Sequence, residues 1–275
     1  GMPQPFGFLA GWMSWFGHSI VTGFYVLGFG FGVVWLMQAY GFDPGLSWEI
    51  VVKILAVGAC LVFIFINYSG TKSTGRSSNY ITGTLIVIVI IYIVAGLIYM
   101  FKQPNLEENF TPFMPEGGLQ NIVIAMGFTF IIFEGYEIIA QCGEECKDAE
   151  KNIPKANWIV ISLATIVFVL VAIVTVGVRG WQFFRDSSEP ERAMADVASL
   201  SMPVFGVTRI GIGIIIGALA AINSTLFSSS RVSFAMGRDG ALPRAFGRLH
   251  PIHNTPHISI FISGGIIIAM VIFLP

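Results

Sequence analysis

The chain has 275 residues, of which 55% are hydrophobic and 11% charged, with a formal net charge of −1. Soluble domains carry about 25% charged residues, so this balance excludes an ordinary water-soluble globule. The lack of a basic stripe excludes a nucleic-acid partner, and three cysteines, Cys60, Cys142 and Cys146, do not make a disulfide framework.

A membrane-spanning helix needs about 20 mostly apolar residues. Seven runs meet that length, at 8–40, 48–68, 79–101, 119–141, 157–180, 206–236 and 257–274. They predict an all-α integral membrane protein with a single membrane domain over residues 1–275. The first run is too long for a signal peptide and has no basic segment before it. Together with the sixth run it is long enough to tilt strongly or to extend past the bilayer. Turn-rich links separate the runs: GFDPGLS (41–47), NYSGTKSTGRSS (67–78), KQPNLEENFTPFMPEGG (102–118) and a polar loop at 144–156. The mixed segment 181–203 contains, at 189–200, a short amphipathic stretch expected to lie at the surface as a helix.

Basic residues set the orientation. Lys72 and Arg76 follow the second run, Lys147, Lys151 and Lys155 the fourth, and Arg238, Arg244 and Arg248 the sixth. The first link has no Lys or Arg, the third has only Lys102, and the fifth has Arg185 and Arg192. The asymmetry predicts a cytoplasmic N-terminal end for this segment and an extracytoplasmic Pro275, in the cell membrane. Gly7 with Gly11, Gly28 with Gly32 and Gly213 with Gly217 have the spacing that lets helix backbones approach closely in lipid. GFGFG at 28–32 is read as such a packing element: no strand precedes it, as a nucleotide-binding loop would require.

The fourth run differs from the others. Its stretch GFTFIIFEGYEIIAQ (127–141) carries Glu134, Gly135 and Glu137 inside an otherwise apolar span. A carboxylate at membrane depth costs about 2.5–3.5 kcal/mol on insertion scales, and glycine weakens a helix by about 1 kcal/mol relative to alanine. The two penalties side by side predict a broken helix, tolerated at that depth only inside protein or beside a water-filled cavity. Broken helices are how secondary transporters offer helix ends and bare backbone groups to a substrate or ion.

The continuation FEGYEIIAQCGEECKDAEKNIPKA (133–156) resembles the amino acid–polyamine–organocation permeases. Gly135, Tyr136 and Glu137 match that family's G-[FY]-E core, and Glu144, Glu145, Lys147 and Asn152 to Ala156 match its acidic pair and I-P-[RK]-A tail. A second match, SSSRVSFAMGRDGALPRAFGRLHPIHNTPH (228–257), is similar to the family's S-R-x-x-x-A-M-x-R-D-G-x-L-P stretch and the H-P…T-P after it. FGFLAGWMSWFGHS (6–19) resembles the start of the family's third helix. The resemblance covers essentially the whole chain. It implies a partial 5+5 inverted-repeat transporter fold, with these runs as family helices three to nine and the chain truncated at both ends.

The same resemblance implies a substrate site at the break. Gly135 would leave backbone N–H groups for a substrate carboxylate, Phe133 and Tyr136 would neighbour the substrate, and His18 would line the path. Glu134 would meet an ammonium or carry a coupling proton; equally, it would face a water-filled vestibule or cap the second half-helix, where negative charge is favoured. The family more often has an apolar residue there. Phe133 could instead face core or lipid. Glu137 is expected to be structural or proton-linked, and His18 to be hydrogen-bonded between helices. Asn223, Ser224 and Thr225 fall where relatives of this fold ring a sodium ion with hydroxyls, the alternative being helix-to-helix hydrogen bonding. Some members carry a lysine in the fifth helix; here that position is Leu85, beside Thr84, which bears against a lysine-based proton mechanism.

His250, His253 and His257 have metal-like spacing, as do Cys142 and Cys146, yet His250-Pro251 fits the loop motif and no zinc signature occurs, so neither metal nor cofactor is expected. Arg238 and Asp239 read as a hinge or ion pair of the loop. The predicted function is a secondary transporter for an amino acid or related amine, coupled to protons, sodium or exchange, working by alternating access, and not an enzyme. The alternative is a seven-helix receptor or photoactive protein. Against it, Lys53 is the only lysine well inside a run, close to one end and beside Glu49. The sequence does not specify the oligomeric state.

Overall fold

The computed structural model describes residues 4–114, 118–132, 135–141, 143, 146–186, 193–202 and 206–273; these residues are helical or in turns and loops, with no strand among them. In chain order the helices are α1 (Gln4–Ala39), α2 (Trp48–Tyr68), α3 (Thr71–Met100), α4 (Leu106–Asn109), α5 (Gly118–Ile132), α6 (Ile138–Gln141), α7 (Ala149–Arg179), α8 (Trp181–Asp186), α9 (Ala193–Ser201), α10 (Gly206–Arg238) and α11 (His257–Phe273). Five of them, α1, α2, α3, α7 and α10, contain stretches long and apolar enough to cross a membrane. Their outward faces carry exposed Phe24, Phe31, Phe65, Ile90 and Leu163. Apolar surface on this scale needs an apolar solvent. The chain is a multi-pass membrane protein.

Two helices start about two turns before their apolar runs. α3 begins at Thr71, inside the expected link 67–78, and α7 at Ala149, inside the expected loop 144–156. Hydropathy marks what lies in lipid, whereas a helix continues into water wherever its residues permit. α7 starts after Asp148, whose φ is +49° and whose carbonyl accepts from the N–H groups of Lys151 and Asn152, both at 3.0 Å. Pro154 sits in its second turn, where it has no N–H to donate to the Glu150 carbonyl. Of the surface helix expected at 189–200, residues 193–200 lie within α9, and 189–192 lie outside the described residues.

The chain forms two compact units, residues 1–85 with 211–275 and residues 86–210. In the first, Val26 of α1, Ala56, Cys60 and Phe63 of α2, Ile222 and Leu226 of α10, and Ile260 and Ile267 of α11 form one buried cluster. In lipid, apolar area alone does not drive helices together, so close fit and hydrogen bonds must. Glycine supplies part of the fit. A Cβ on Gly30 would lie 2.6 Å from the carbonyl oxygen of Val52, and one on Gly264 would collide with Ile64. The spacing expectation is corrected in detail: Gly7 and Gly28 face open space, Gly11 and Gly32 pack on Met236 and on Ile214 and Ile215, and within GFGFG the tightest approach is made by the middle glycine, Gly30.

In the second unit, Tyr92 of α3 is buried with its hydroxyl 2.8 Å from Thr175 Oγ1 of α7. Gly96 and Gly177 admit Val174 and Met100 where any Cβ would overlap them.

Candidate functional site

The fourth run is broken. α5 ends at Ile132, α6 starts at Ile138, and Gly135 between them has φ +109°. That backbone conformation is strained for any residue with a side chain. Space does not demand glycine here, because a Cβ would meet only Ile138 Cδ1 at 3.9 Å. The chain re-enters helix through short i to i+3 turns: Ile138 N–H donates to Gly135 O (3.1 Å), Ile139 N–H to Tyr136 O (3.2 Å) and Ala140 N–H to Glu137 O (3.0 Å). Glu137 turns back so that Oε2 accepts the Gly135 N–H at 2.9 Å. This charge-assisted bond satisfies a backbone donor that the break releases. Tyr136 is 43% exposed. Phe133 and Glu134 lie outside the described residues.

The other candidates belong to the first unit. His18 is buried in α1, with Nδ1 2.6 Å from the carbonyl oxygen of Ser14, so this contact runs along α1. The three neighbours on α10 point different ways. Asn223 is 1% exposed; its Nδ2 donates to Thr74 O at 3.3 Å and its Oδ1 accepts from Asn67 Nδ2 at 3.5 Å. Ser224 Oγ donates back to Ala220 O at 3.1 Å. Thr225 donates to Ala221 O at 2.8 Å, while the Thr22 hydroxyl stands 2.7 Å from Thr225 Oγ1 and 2.6 Å from His18 O.

Thr22 is part of a buried polar seam between α1 and α10 that the sequence reading missed. Ser19 Oγ lies 2.8 Å from Ser229 Oγ, and Trp15 Nε1 donates to Ser263 Oγ of α11 at 2.9 Å. The available signal was Trp15, Ser19 and Thr22 recurring at helical spacing in an apolar run.

The loop histidines pack as a cluster on the end of α2. Tyr68 Oη lies 3.1 Å from His250 Nε2, and His250 Nδ1 accepts from the backbone N–H groups of Ile252 and His253, each at 3.3 Å. Both His250 nitrogens are therefore engaged within the protein. His253 stacks on His250 at 5.0 Å and His257 meets it edge-on at 5.4 Å. Desolvation, then the neighbouring His253 and His257, lower the pKa of His250. Among the described residues no group of three or more His, Cys, Asp or Glu is placed to hold a metal ion, and Cys142 lies outside them. Arg238 lies over Phe234 at 5.7 Å, and the turn after it is held through its backbone, with Ala241 N–H and Leu242 N–H on Met236 O at 2.8 and 3.1 Å. Lys53 pairs with Glu49 at 3.1 Å.

The sequence profile of the amino acid permeases matches residues 1–275. The chain is 27% identical over 254 residues to the methylthioribose transporter of Bacillus subtilis, covering 92% of this chain and 51% of that protein. It is 28% identical over 204 residues to the branched-chain amino acid permease BcaP of the same organism, covering 74% and 42%. Mouse cationic amino acid transporter 4 is 29% identical over 216 residues, covering 76% and 32%. The chain thus spans about half the length, or less, of these relatives. All three are transporters, not enzymes, and nothing in them supports a receptor or photoactive protein.

Proposed function

The chain belongs to the amino acid permease family, and from that premise we propose that it works in a secondary transporter moving an amino acid or related amine by alternating access. The observation that carries this reading is the break at Gly135. A chain that leaves helix at a glycine of positive φ and re-enters it at Ile138 is the kind of break at which secondary transporters hold a substrate or ion. In this reading Phe133, Glu134, Gly135, Tyr136 and His18 contact the substrate. Glu134, Glu137 and the Asn223–Ser224–Thr225 cluster serve coupling to protons or sodium. Motion of the broken-helix bundle against its scaffold opens the site to each side in turn, with the N-terminal end of this segment cytoplasmic and the whole seated in the cell membrane as one domain of about seven spans.

Two observations weight the roles within that set. The Glu137 bond to the Gly135 N–H favours a positioning role for Glu137, one that shapes the break. The divergent hydrogen bonds of Asn223, Ser224 and Thr225 favour helix-to-helix bonding over a shared ion. Uptake or exchange by the protein from its complete coding sequence, reconstituted and offered a panel of amino acids and amines, tests the reading. Failure to bind or move any of them sinks it.

A further inference from the structure

The C-terminal end of α7 carries an apolar slot that the transport reading does not use. Gly180 closes the helix at φ +79°, its N–H on Val176 O at 2.7 Å, and α8 follows at once. The segment after α3 is pinned to this end. Asn109 Nδ2 donates to Gly177 O (2.8 Å) and Gln103 Nε2 to Val178 O (3.0 Å), while Trp181 Nε1 and Gln182 Nε2 both donate to Thr111 O (3.0 and 3.2 Å). These bonds fix the backbone and leave an open cavity of about 350 Å³ lined by Phe110, Phe113, Ala172, Ile173, Val176 and Trp181. Phe113 is 92% exposed.

Three features identify the occupant. The lining is aromatic and aliphatic, so it offers no convergent polar groups to hold an amino acid or an ion. α7 leads into it: Ile159, Leu163, Ile166, Val169 and Ile173 are all exposed, three or four residues apart, on a helix long and apolar enough to cross a membrane. Spacing of that kind makes one stripe. Finally, the rim is cationic. The Arg185 guanidinium stands 5.1 Å from the Trp181 ring, and that of Arg179 lies 4.3 Å over Phe183. Aromatic rings with arginine beside them suit the boundary between acyl chains and head groups. The acids of the pinned segment, Glu107 and Glu108, sit on α4, where Glu108 accepts from Asn105 at 3.2 Å.

We propose that the slot and the stripe hold one acyl chain of an anionic phospholipid, with Arg179 and Arg185 receiving its phosphate. The test is native mass spectrometry of the complete permease released from nanodiscs holding equal amounts of phosphatidylglycerol and phosphatidylcholine with matched acyl chains. The wild type retains phosphatidylglycerol in preference. Arg179→Gln and Arg185→Gln each weaken that retention about five-fold, the effect of one cation near an anionic surface, and leave phosphatidylcholine unchanged. Ala172→Trp, which fills the slot, lowers retention of both lipids. Equal retention of the two lipids by the wild type, arginine variants that behave like it, or unchanged retention in Ala172→Trp would each overturn the proposal. Both arginines are exposed, circular dichroism of their variants checks that the fold is kept, and the test stands even if the tryptophan variant misfolds.

Discussion

Gly135 and Glu137 act as a pair: the glycine turns the backbone out of helix, and the carboxylate accepts the N–H that the turn releases. Glu137→Ala removes the acceptor, and leaving such a donor unsatisfied costs about 1–3 kcal/mol. Glu137→Gln keeps an acceptor oxygen while removing the charge. We expect Glu137→Ala to lower the thermal stability and substrate affinity of the permease, and Glu137→Gln to keep most of both along with the wild-type pH profile of uptake. A Gln variant whose uptake no longer responds to pH would assign Glu137 to proton coupling instead. His250 makes a second prediction at this scale. Its Nδ1 already accepts two backbone N–H groups, and its pKa is lowered from 6.5. A folded-state value below the unfolded one means that the stability contributed by neutral His250 is fully present above pH 6.5 and is lost as pH falls below it. Melting curves recorded across that range should show the loss in the wild type and less of it in His250→Asn. His253, His257 and Tyr68 face it, and a slope unchanged in His250→Asn would contradict the assignment of the effect to His250.

At the scale of elements, the seam between α1 and α10 shows how helices without a hydrophobic driving force find each other. Thr22 with Thr225 and Ser19 with Ser229 place paired hydroxyls across the contact. Such bonds average about 0.6 kcal/mol in membranes, so a double-mutant cycle of Thr22→Val and Thr225→Val should give a coupling of about that size. A coupling of zero would show that the two hydroxyls do not support each other. The helices themselves were legible because long apolar runs have few alternatives in lipid. Their ends were not: TKSTGRSS reads as a link by polarity, yet it forms the start of α3, since water tolerates a polar helix. The break at Gly135 was legible from two local penalties placed together. The direction of Glu137 was not, because a carboxylate aimed at a backbone N–H two residues away and one aimed at a substrate have the same sequence.

At the scale of the molecule, the family match runs the length of the chain, while the relatives extend well beyond it. The two units divide the candidate residues. Gly135, Tyr136 and Glu137 lie in one, and His18 and Asn223 to Thr225 in the other. The motif around Gly135 was readable because its penalties are local, whereas nothing in the residue types of α1 announces that His18 Nδ1 meets the Ser14 carbonyl. The most direct measurement is substrate binding and uptake by the reconstituted permease, wild type against Gly135→Leu, across a panel of amino acids and amines. The account predicts that the wild type binds and moves at least one of them, and that the leucine variant, still folded by size-exclusion chromatography, binds none. Wild-type affinity in Gly135→Leu would contradict it.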